Sequence, residues 1–302
     1  MTFTTKTAIL TAILLWASAY VGIRAGLQFY SPEGLALLRY LIASLVMGLV
    51  YFNLQERSQI RLQDKIKLML VGVIGIGVYN ITLNRGELEV SSGLASFITN
   101  VSPIVTTMMA VMFLGEQLNV QRILGLVVSV LGIMMIAYGE VGSFQLSDSM
   151  MYMLAAMIAS SCYSLMQKPF LKLCNATEAT AYVIWGGTLF LMMYFSSMLH
   201  DVTHAPLSAT LIVVYLGIFP AAIAYLAWSY VLQRLTVSQT VSYMFVIPFG
   251  TTLMGWALLH EVPAMLSALG ALIAIAGVWL VNQSYQETFA PEFEPEAEAK
   301  AA

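Results

Sequence analysis

The stretch PIVTTMMAVMFLGE at residues 103–116 returns as PFGTTLMGWALLHE at residues 248–261. The two copies are offset by 248 − 103 = 145 positions, and both lie in apolar surroundings. The same offset pairs further identical residues: Thr106 with Thr251, Thr107 with Thr252, Met109 with Met254, Leu114 with Leu259, Glu116 with Glu261, Gly125 with Gly270, and Gly132 with Gly277. Such an internal duplication of a membrane segment predicts two halves that meet around a shared site near the bilayer midplane.

The composition places the chain in a lipid bilayer. Of its 302 residues, 59% are hydrophobic and only 10% are charged, with a mean hydropathy of +0.81. A water-soluble domain this poor in charge would aggregate through its surface. The net charge of −3 gives no reason to expect nucleic-acid binding, which needs clustered cations. The two cysteines, Cys162 and Cys174, are interpreted as free thiols.

About 20 apolar residues cross a bilayer as a helix, and the chain contains ten such windows. Peptide groups in hydrocarbon have to bond within their own segment, so these spans are predicted to be helices and the fold class all-α. Strands of a membrane barrel would show shorter, alternating segments instead. The predicted spans are 7–26, 33–52, 66–84, 91–114, 121–138, 150–168, 178–198, 208–231, 237–259 and 264–282.

The distribution of cations predicts the orientation, because Lys and Arg collect on the cytoplasmic side. With the N-terminus inside, the outer side holds only Arg24 and Arg85. The inner side then holds Lys6, Arg57, Arg61, Lys65, Lys67, Arg122, Lys168, Lys172, Arg234 and Lys300. Both termini are therefore predicted to be cytoplasmic. Because each copy has five spans, an odd number, the second copy enters the membrane inverted relative to the first, which suits alternating access.

Several short motifs resemble one known family. They are Trp16-Ala17-Ser18, Leu38-Arg39-Tyr40, and the string of Pro103, Leu114-Gly115-Glu116, Leu124-Gly125 and Gly132 that recurs as Pro248, Leu259-His260-Glu261, Leu269-Gly270 and Gly277. This pattern resembles the EamA-type members of the drug/metabolite transporter superfamily. The chain departs from it at His260, where glycine is more usual, and at Ser161, where the sixth span often carries tryptophan.

The resemblance implies ten transmembrane helices as two inverted five-helix repeats, at residues 7–139 and 150–283. It implies a secondary transporter of a bacterial inner membrane that exports or exchanges small metabolites such as amino acids. Residues 284–302 have too little apolar content to fold and are predicted to be a disordered acidic cytoplasmic tail. The expected partners are a small-molecule substrate and the bilayer, with no nucleic acid; the oligomeric state stays open.

Pro103 and Pro248 are predicted to kink spans four and nine, because proline removes a donor and displaces the carbonyl four residues earlier. The kinks either face a central cavity or only shape helix packing. Aromatic and amide side chains deep within spans are candidates to line that cavity, through stacking and cation–π contact. These candidates are Trp16, Tyr79, Asn80, Asn100, Tyr163, Trp185, Tyr225 and Tyr243. The alternative is that the rings fill helix contacts or belong to the interfacial belt.

Three charges near or within spans are structural or gating candidates. Arg39, inside the second span, pairs with Glu33 or a backbone carbonyl, or else binds a substrate carboxylate. Glu116 and Glu261 are expected to cap the amides at the starts of spans five and ten. The alternative is a gating ion pair, with Arg122 as the partner of Glu116.

The sequence does not predict an enzyme. It contains no His-Glu-x-x-His zinc motif and no Walker lysine, so no metal, cofactor or ATP is expected. No span carries paired aspartates or a midplane carboxylate, which favours uncoupled transport or exchange. Proton coupling through acids at span ends stays open. The rival interpretations are a membrane-embedded enzyme and a receptor or scaffold without transport.

Overall fold

The computed structural model describes residues 2–117, 119–141, 148–260 and 265–288. The described residues form fifteen α-helices: α1 (Phe3–Gly26), α2 (Pro32–Phe52), α3 (Leu62–Gly72), α4 (Tyr79–Gly86), α5 (Ser92–Thr99), α6 (Ser102–Leu114), α7 (Val120–Val141), α8 (Asp148–Gln167), α9 (Ala176–Leu191), α10 (Phe195–His204), α11 (Leu207–Leu216), α12 (Ala224–Arg234), α13 (Val237–Ser242), α14 (Ile247–Leu259) and α15 (Met265–Thr288). Two π-helical segments, Val73–Val78 and Gly217–Ile223, join α3 to α4 and α11 to α12. Short 3₁₀ segments are Phe170–Lys172, Met192–Tyr194 and Tyr243–Val246.

Eight helical stretches are long and apolar enough to cross a membrane: Phe3–Gly26, Pro32–Phe52, Leu62–Gly86, Ser92–Leu114, Asp148–Lys172, Ala176–His204, Leu207–Arg234 and Val237–Leu259. They match eight of the ten predicted spans. The other two, at 121–138 and 264–282, overlap the shorter apolar stretches Val120–Gly132 and Leu272–Val281. Within the described residues there is no strand, so the all-α prediction is confirmed for that part of the chain.

Two sequence predictions fall at or beyond the described residues. Glu261 lies outside them. The acidic tail was predicted to begin at residue 284, but α15 continues to Thr288. Residues 289–302 lie outside the described part.

The starts of spans four and nine have the same hydroxyl cap. Ser91 Oγ accepts a hydrogen bond from the Leu94 amide at 3.2 Å. Thr236 Oγ1 accepts from the Gln239 amide, also at 3.2 Å. A hydroxyl in this position satisfies an amide that has no partner inside the helix. The two caps are 236 − 91 = 145 residues apart, which is the offset of the sequence repeat, so spans four and nine begin in the same way.

Both prolines of the repeated stretch stand at the start of a new helix. Pro103 is the second residue of α6, after α5 has ended at Thr99. Pro248 is the second residue of α14, which follows a 3₁₀ segment. Proline is well suited to a first turn, because that turn leaves its amides without helical partners. Each span is therefore interrupted, whereas the sequence predicted one helix with a kink.

The same two helices end alike, in a left-handed residue. Gly115 follows α6 with a φ of 67°, and His260 follows α14 with a φ of 58°. Glycine adopts this conformation without steric cost, while a side chain makes it less favourable. The amide of Gly115 bonds to the Ala110 carbonyl, and that of His260 to the Gly255 carbonyl. The unusual histidine of the second copy therefore keeps the helix ending of the first.

Helices α7 and α15 pack closely through small residues. A Cβ atom added at Gly132 would lie 2.4 Å from both the Ala274 amide nitrogen and the Gly270 carbonyl oxygen. One added at Gly277 would lie 2.5 Å from the Gly125 carbonyl oxygen. Small residues allow two helices to approach this closely. In a bilayer the association of helices depends on such close van der Waals contact, because lipid supplies no hydrophobic driving force.

The remaining helices pack mainly between the first half (residues 2–141) and the second half (residues 148–288). Helix α1 packs against α11, α12 and α14, and α2 packs against α9. Helix α4 packs against α8. Side chains from α1, α2 and α4 therefore reach the same interior as those from α8 and α12, which is where the cavity described below lies.

Substitution of Gly132 by alanine should destabilise the α7–α15 contact, because the new methyl group meets backbone atoms that have no room to yield. We expect Gly132→Ala to cost roughly 1–3 kcal/mol, seen as a lower melting temperature of the detergent-purified protein. Gly48→Ala is the matched control, since a Cβ there has no atom within 4 Å. Equal melting temperatures for the two variants would contradict the close approach.

Candidate functional site

A cavity lies between the two halves, and aromatic side chains form much of its wall. The first half contributes Trp16, Tyr20 and Tyr79, and the second half contributes Tyr163, Tyr225 and Trp228. The space among the lining residues is about 550 Å³, including the part open at the mouth. The cavity itself measures only about 40 Å³. A bound solute therefore requires these walls to move apart.

The rings contact one another at aromatic packing distances. The centroid of Trp16 is 5.4 Å from that of Tyr225 and 5.0 Å from that of Trp228. Tyr163 and Tyr225 are 5.6 Å apart. Tilted and edge-on pairs at these separations expose both ring faces and polar edges. The wall can therefore contact an apolar group and a cationic group of one solute.

Both π-helical segments contact the cavity's aromatic residues. The indole nitrogen of Trp16 donates to the carbonyl of Pro220, in Gly217–Ile223, at 3.2 Å. Gly75, in Val73–Val78, lies against Tyr163, and a Cβ there would come within 2.5 Å of the ring. A π-helical turn widens a helix locally and often occurs at functional sites.

Arg39 brings a buried positive charge to the cavity. Its side chain is 3% exposed and lines the cavity from α2. Its Nη1 donates to Asn80 Oδ1 at 3.1 Å, and its Cζ lies 5.4 Å from the Tyr40 ring centroid. Asn80 Nδ2 in turn donates to the Tyr40 hydroxyl at 3.0 Å. Asn80 thus orients the arginine and does not itself line the cavity.

Glu33, one of the alternative partners considered for Arg39, does not pair with it in the structure. Glu33 Oε1 pairs instead with Arg85, whose Nη2 is 2.6 Å away and whose Nε donates at 2.7 Å. Glu33 lies in the first turn of α2, whereas Arg39 is almost two turns further along the helix. The acid is therefore nearer the C-terminal end of α4, where Arg85 lies.

Asn100 supports the cavity wall from behind. It occupies the break between α5 and α6 and is fully buried. Its Nδ2 donates to the Tyr20 hydroxyl at 3.3 Å, and that hydroxyl is 2.7 Å from Thr99 Oγ1. Asn100 is not among the lining residues, but it helps to hold Tyr20, which is.

Two other predicted site residues do not line the cavity. Trp185 belongs to a separate cluster, with its ring centroid 5.2 Å from Tyr51 and 5.6 Å from Tyr182. Its indole nitrogen donates to the Ser44 carbonyl at 3.3 Å. Tyr243 packs against the hydrophobic core beside the cavity, while its neighbour in sequence, Met244, lines it.

Glu116 caps a helix of the other half. Its Oε1 accepts from the Val237 amide at 2.6 Å, and its Oε2 accepts from the Ser238 amide at 3.0 Å. A cap was expected, but on span five, and the structure places it at the start of span nine. Arg122, the partner of Glu116 in the alternative gating pair, donates to the Gln117 carbonyl at 2.6 Å. The left-handed Gly115 turns the chain back at this point and brings Glu116 to α13.

Sequence reasoning missed two aromatic residues of the cavity wall, Tyr20 and Trp228. Tyr20 is four residues after Trp16, and Trp228 is three residues after Tyr225. Residues three or four apart share a helix face. Helical spacing from the residues already chosen would therefore have found both.

The chemistry of this site is that of binding. Its wall offers ring faces, hydroxyl groups and one guanidinium, a combination that suits a small solute with an apolar body and a polar head. In the described residues no group of three His, Cys, Asp or Glu side chains is placed to hold a metal ion.

Comparison with known proteins identifies the family. The model of the EamA-like transporter family matches residues 5–138 and 149–283. A relative named "Probable terminal-alkyne amino-acid exporter", from Streptantibioticus cattleyicolor, is 33% identical over 91% of this chain and 92% of its own length. An uncharacterised transporter of Bacillus subtilis is 36% identical, over 87% of this chain and 86% of its own.

More distant matches agree with this family assignment. A "Probable amino-acid metabolite efflux pump" of Escherichia coli is 20% identical over 90% of this chain and 92% of its own length. One solved crystal structure has the same fold, with a TM-score of 0.73 at 17% identity, over 96% of this chain and 100% of the other. The chain is a multi-pass membrane protein and belongs to the EamA-like transporter family.

Proposed function

We propose that the protein is a secondary transporter that exports or exchanges small amphipathic metabolites, including amino-acid-like ones, by alternating access. The observation that carries this is the aromatic cavity with Arg39 at its wall, built from both halves of the chain. The names of the Streptantibioticus and Escherichia coli relatives support the solute class.

The proposed architecture is ten transmembrane helices, as inverted five-helix repeats at residues 7–139 and 150–283. Matching local structure supports it: Ser91 and Thr236 form equivalent caps, and Gly115 and His260 form equivalent left-handed endings. The π-helical segments also occupy corresponding places in the third and eighth predicted spans. We further propose a bacterial inner membrane, with both termini and an acidic tail in the cytoplasm.

In the proposed cycle, the two halves rock around the cavity and expose it to each side in turn. A closed intermediate, in which the cavity opens to neither side of the membrane, requires a narrow space of this kind among the rings. Breaks at Pro103 and Pro248 let short helices such as α6 and α14 move as units. Glu116 joins α6 to α13, so its two hydrogen bonds have to break or move with both helices when that end of the molecule opens.

Replacement of Trp16 by alanine should lower export strongly, because it removes ring contacts and the bond to Pro220. We expect a loss of about tenfold or more in solute efflux from proteoliposomes loaded with a cell metabolite extract and read by mass spectrometry. Trp185→Ala is the matched control, since it removes an equal ring outside the cavity. If wild-type vesicles release no solute faster than protein-free vesicles, the proposed function is wrong.

Replacement of Glu116 by glutamine should alter turnover more than solute binding. The amide oxygen can accept one of the two backbone bonds, while the charge that strengthens both is gone. We expect the maximal efflux rate to change about threefold to tenfold at nearly unchanged half-saturation, since roughly 1 kcal/mol separates a charged from a neutral bond. Glu56→Gln, at an exposed loop site, is the control. Unchanged rates in both variants would exclude a role for this contact in the cycle.

The proposed orientation predicts that cysteines introduced at Ser58 and at residue 289 are labelled from the same side of inverted vesicles. Cys174 will not interfere, because burial raises the pKa of its thiol to about 12 and few molecules carry the reactive thiolate. The other native cysteine is removed by Cys162→Ser, so that the introduced cysteines give the labelling signal. Labelling of the two positions from opposite sides would contradict inverted five-helix repeats.

A further inference from the structure

Arg39 is a buried cation whose surroundings do not neutralise it. Among the described residues, no carboxylate oxygen lies within 4 Å of its guanidinium. Glu33, on the same helix, pairs with Arg85. In the described part of the chain it contacts one amide oxygen, on Asn80, and the face of the Tyr40 ring. The Nε atom is buried and has no hydrogen-bond partner in the described part of the chain.

A charge in this position is costly. Arginine stays protonated in proteins, so it cannot escape the cost by losing its proton. A neutral amide and a ring offset only part of the desolvation penalty of a buried ion. Buried charges therefore have an anionic partner, and residues of this kind within membranes are usually functional. An anion that enters the cavity can supply the missing charge.

The shape of the group narrows the choice of anion. A guanidinium presents its N–H donors as a planar fork that matches the two oxygens of a carboxylate. Asn80 accepts a hydrogen bond from Nη1, whereas the N–H donor at Nε of Arg39 remains available to a ligand. The aromatic residues Trp16, Tyr79 and Tyr225 line the same cavity and suit an apolar or aromatic body attached to that carboxylate.

The described residues that line the cavity bring a positive charge, from Arg39, and no negative charge. Of the described residues that line the cavity, none is an aspartate or glutamate. An ammonium group of a zwitterionic solute would meet only ring faces, hydroxyls and carbonyls. A hydroxyl group in the same place can donate to the same hydroxyls and carbonyls, so these contacts discriminate little between an amino acid and the corresponding hydroxy acid.

We infer that Arg39 binds the carboxylate of the transported solute, and that the substrates are monocarboxylates with an apolar or aromatic side chain, whether or not they carry an α-amino group. This inference rests on the proposed transport function. Arg39 is then the residue that determines specificity for the acid, and Asn80 is a positioning residue that orients it.

The test uses four compounds that share one ring: phenylalanine, 3-phenyllactate, phenylalanine amide and phenethylamine. Binding to the purified protein is measured by thermal shift, and efflux of an equimolar mixture is measured from proteoliposomes. We expect the two acids to bind within about threefold of each other and the amide and amine at least about tenfold more weakly, the size of a charge-assisted bond. Equal binding of the acids and their neutral or cationic counterparts would overturn the inference. It would also be overturned if chloride, at the same ionic strength, raised the melting temperature as much as the acids do.

Arg39→Gln removes the charge and keeps an amide donor for Asn80. It should lose at least about tenfold in affinity for both acids, while the ligand-free protein melts no lower than wild type, because an uncompensated charge is gone. Arg85→Gln is the matched control. It breaks the ion pair with Glu33 and should lower the melting temperature without changing the preference for acids. The opposite pattern, in which Arg39→Gln lowers stability and keeps the preference, would make Arg39 structural.

The two proposals fail in different ways. If the vesicles release metabolites but never carboxylic acids in preference to the amide and amine, transport stands and the role of Arg39 falls. If the acids bind through Arg39 and no solute crosses the membrane, acid recognition stands and the transport function falls.

Discussion

Peptide groups in a bilayer have no water to bond with, and the irregular parts of this chain are built around that constraint. Each break in a helix exposes amides or carbonyls, and side chains from elsewhere satisfy several of them. Trp16 donates to the Pro220 carbonyl, and Lys168 donates to the carbonyls of Leu232 and Leu235 at 2.5 Å each. Glu116 accepts from the two amides at the start of α13. The interruptions that loosen the helices are thus also the points at which distant helices are joined.

The same constraint explains why the cavity combines rings with so few charges. Tyrosine and tryptophan supply donors at the edge of a large apolar surface, so a wall made from them is polar enough to orient a solute. Tyr20 illustrates this, because its hydroxyl bonds to Thr99 and Asn100 behind the wall while its ring faces the cavity. Arg39 is the exception, a charged side chain that is buried and yet belongs to the cavity wall.

Hydropathy and the repeat predicted most of the fold, because span length and the proline-to-glutamate pattern are local properties. Four of the predicted aromatic residues line one cavity: Trp16, Tyr79, Tyr163 and Tyr225. Trp185 does not, because depth within a span says nothing about the face of the helix that a residue occupies. The target of Glu116 was also beyond local reasoning, since Val237 is 121 residues away in sequence. The interruption at Pro103 was predicted as a bend because proline alone does not distinguish a kinked helix from a newly started one.

The bonds from Glu116 to α13 have a consequence for biosynthesis. A ribosome completes the first copy of the repeat well before residues 237 and 238 are translated, so during that interval the carboxylate and the helix end that it caps cannot meet. Helix α1 is in the same position, since its partners α11, α12 and α14 are all made later. The nascent first copy therefore waits in the membrane or in the translocon with its inner face unassembled. Two separately encoded copies would have to find each other there, and fusion into one chain removes that search.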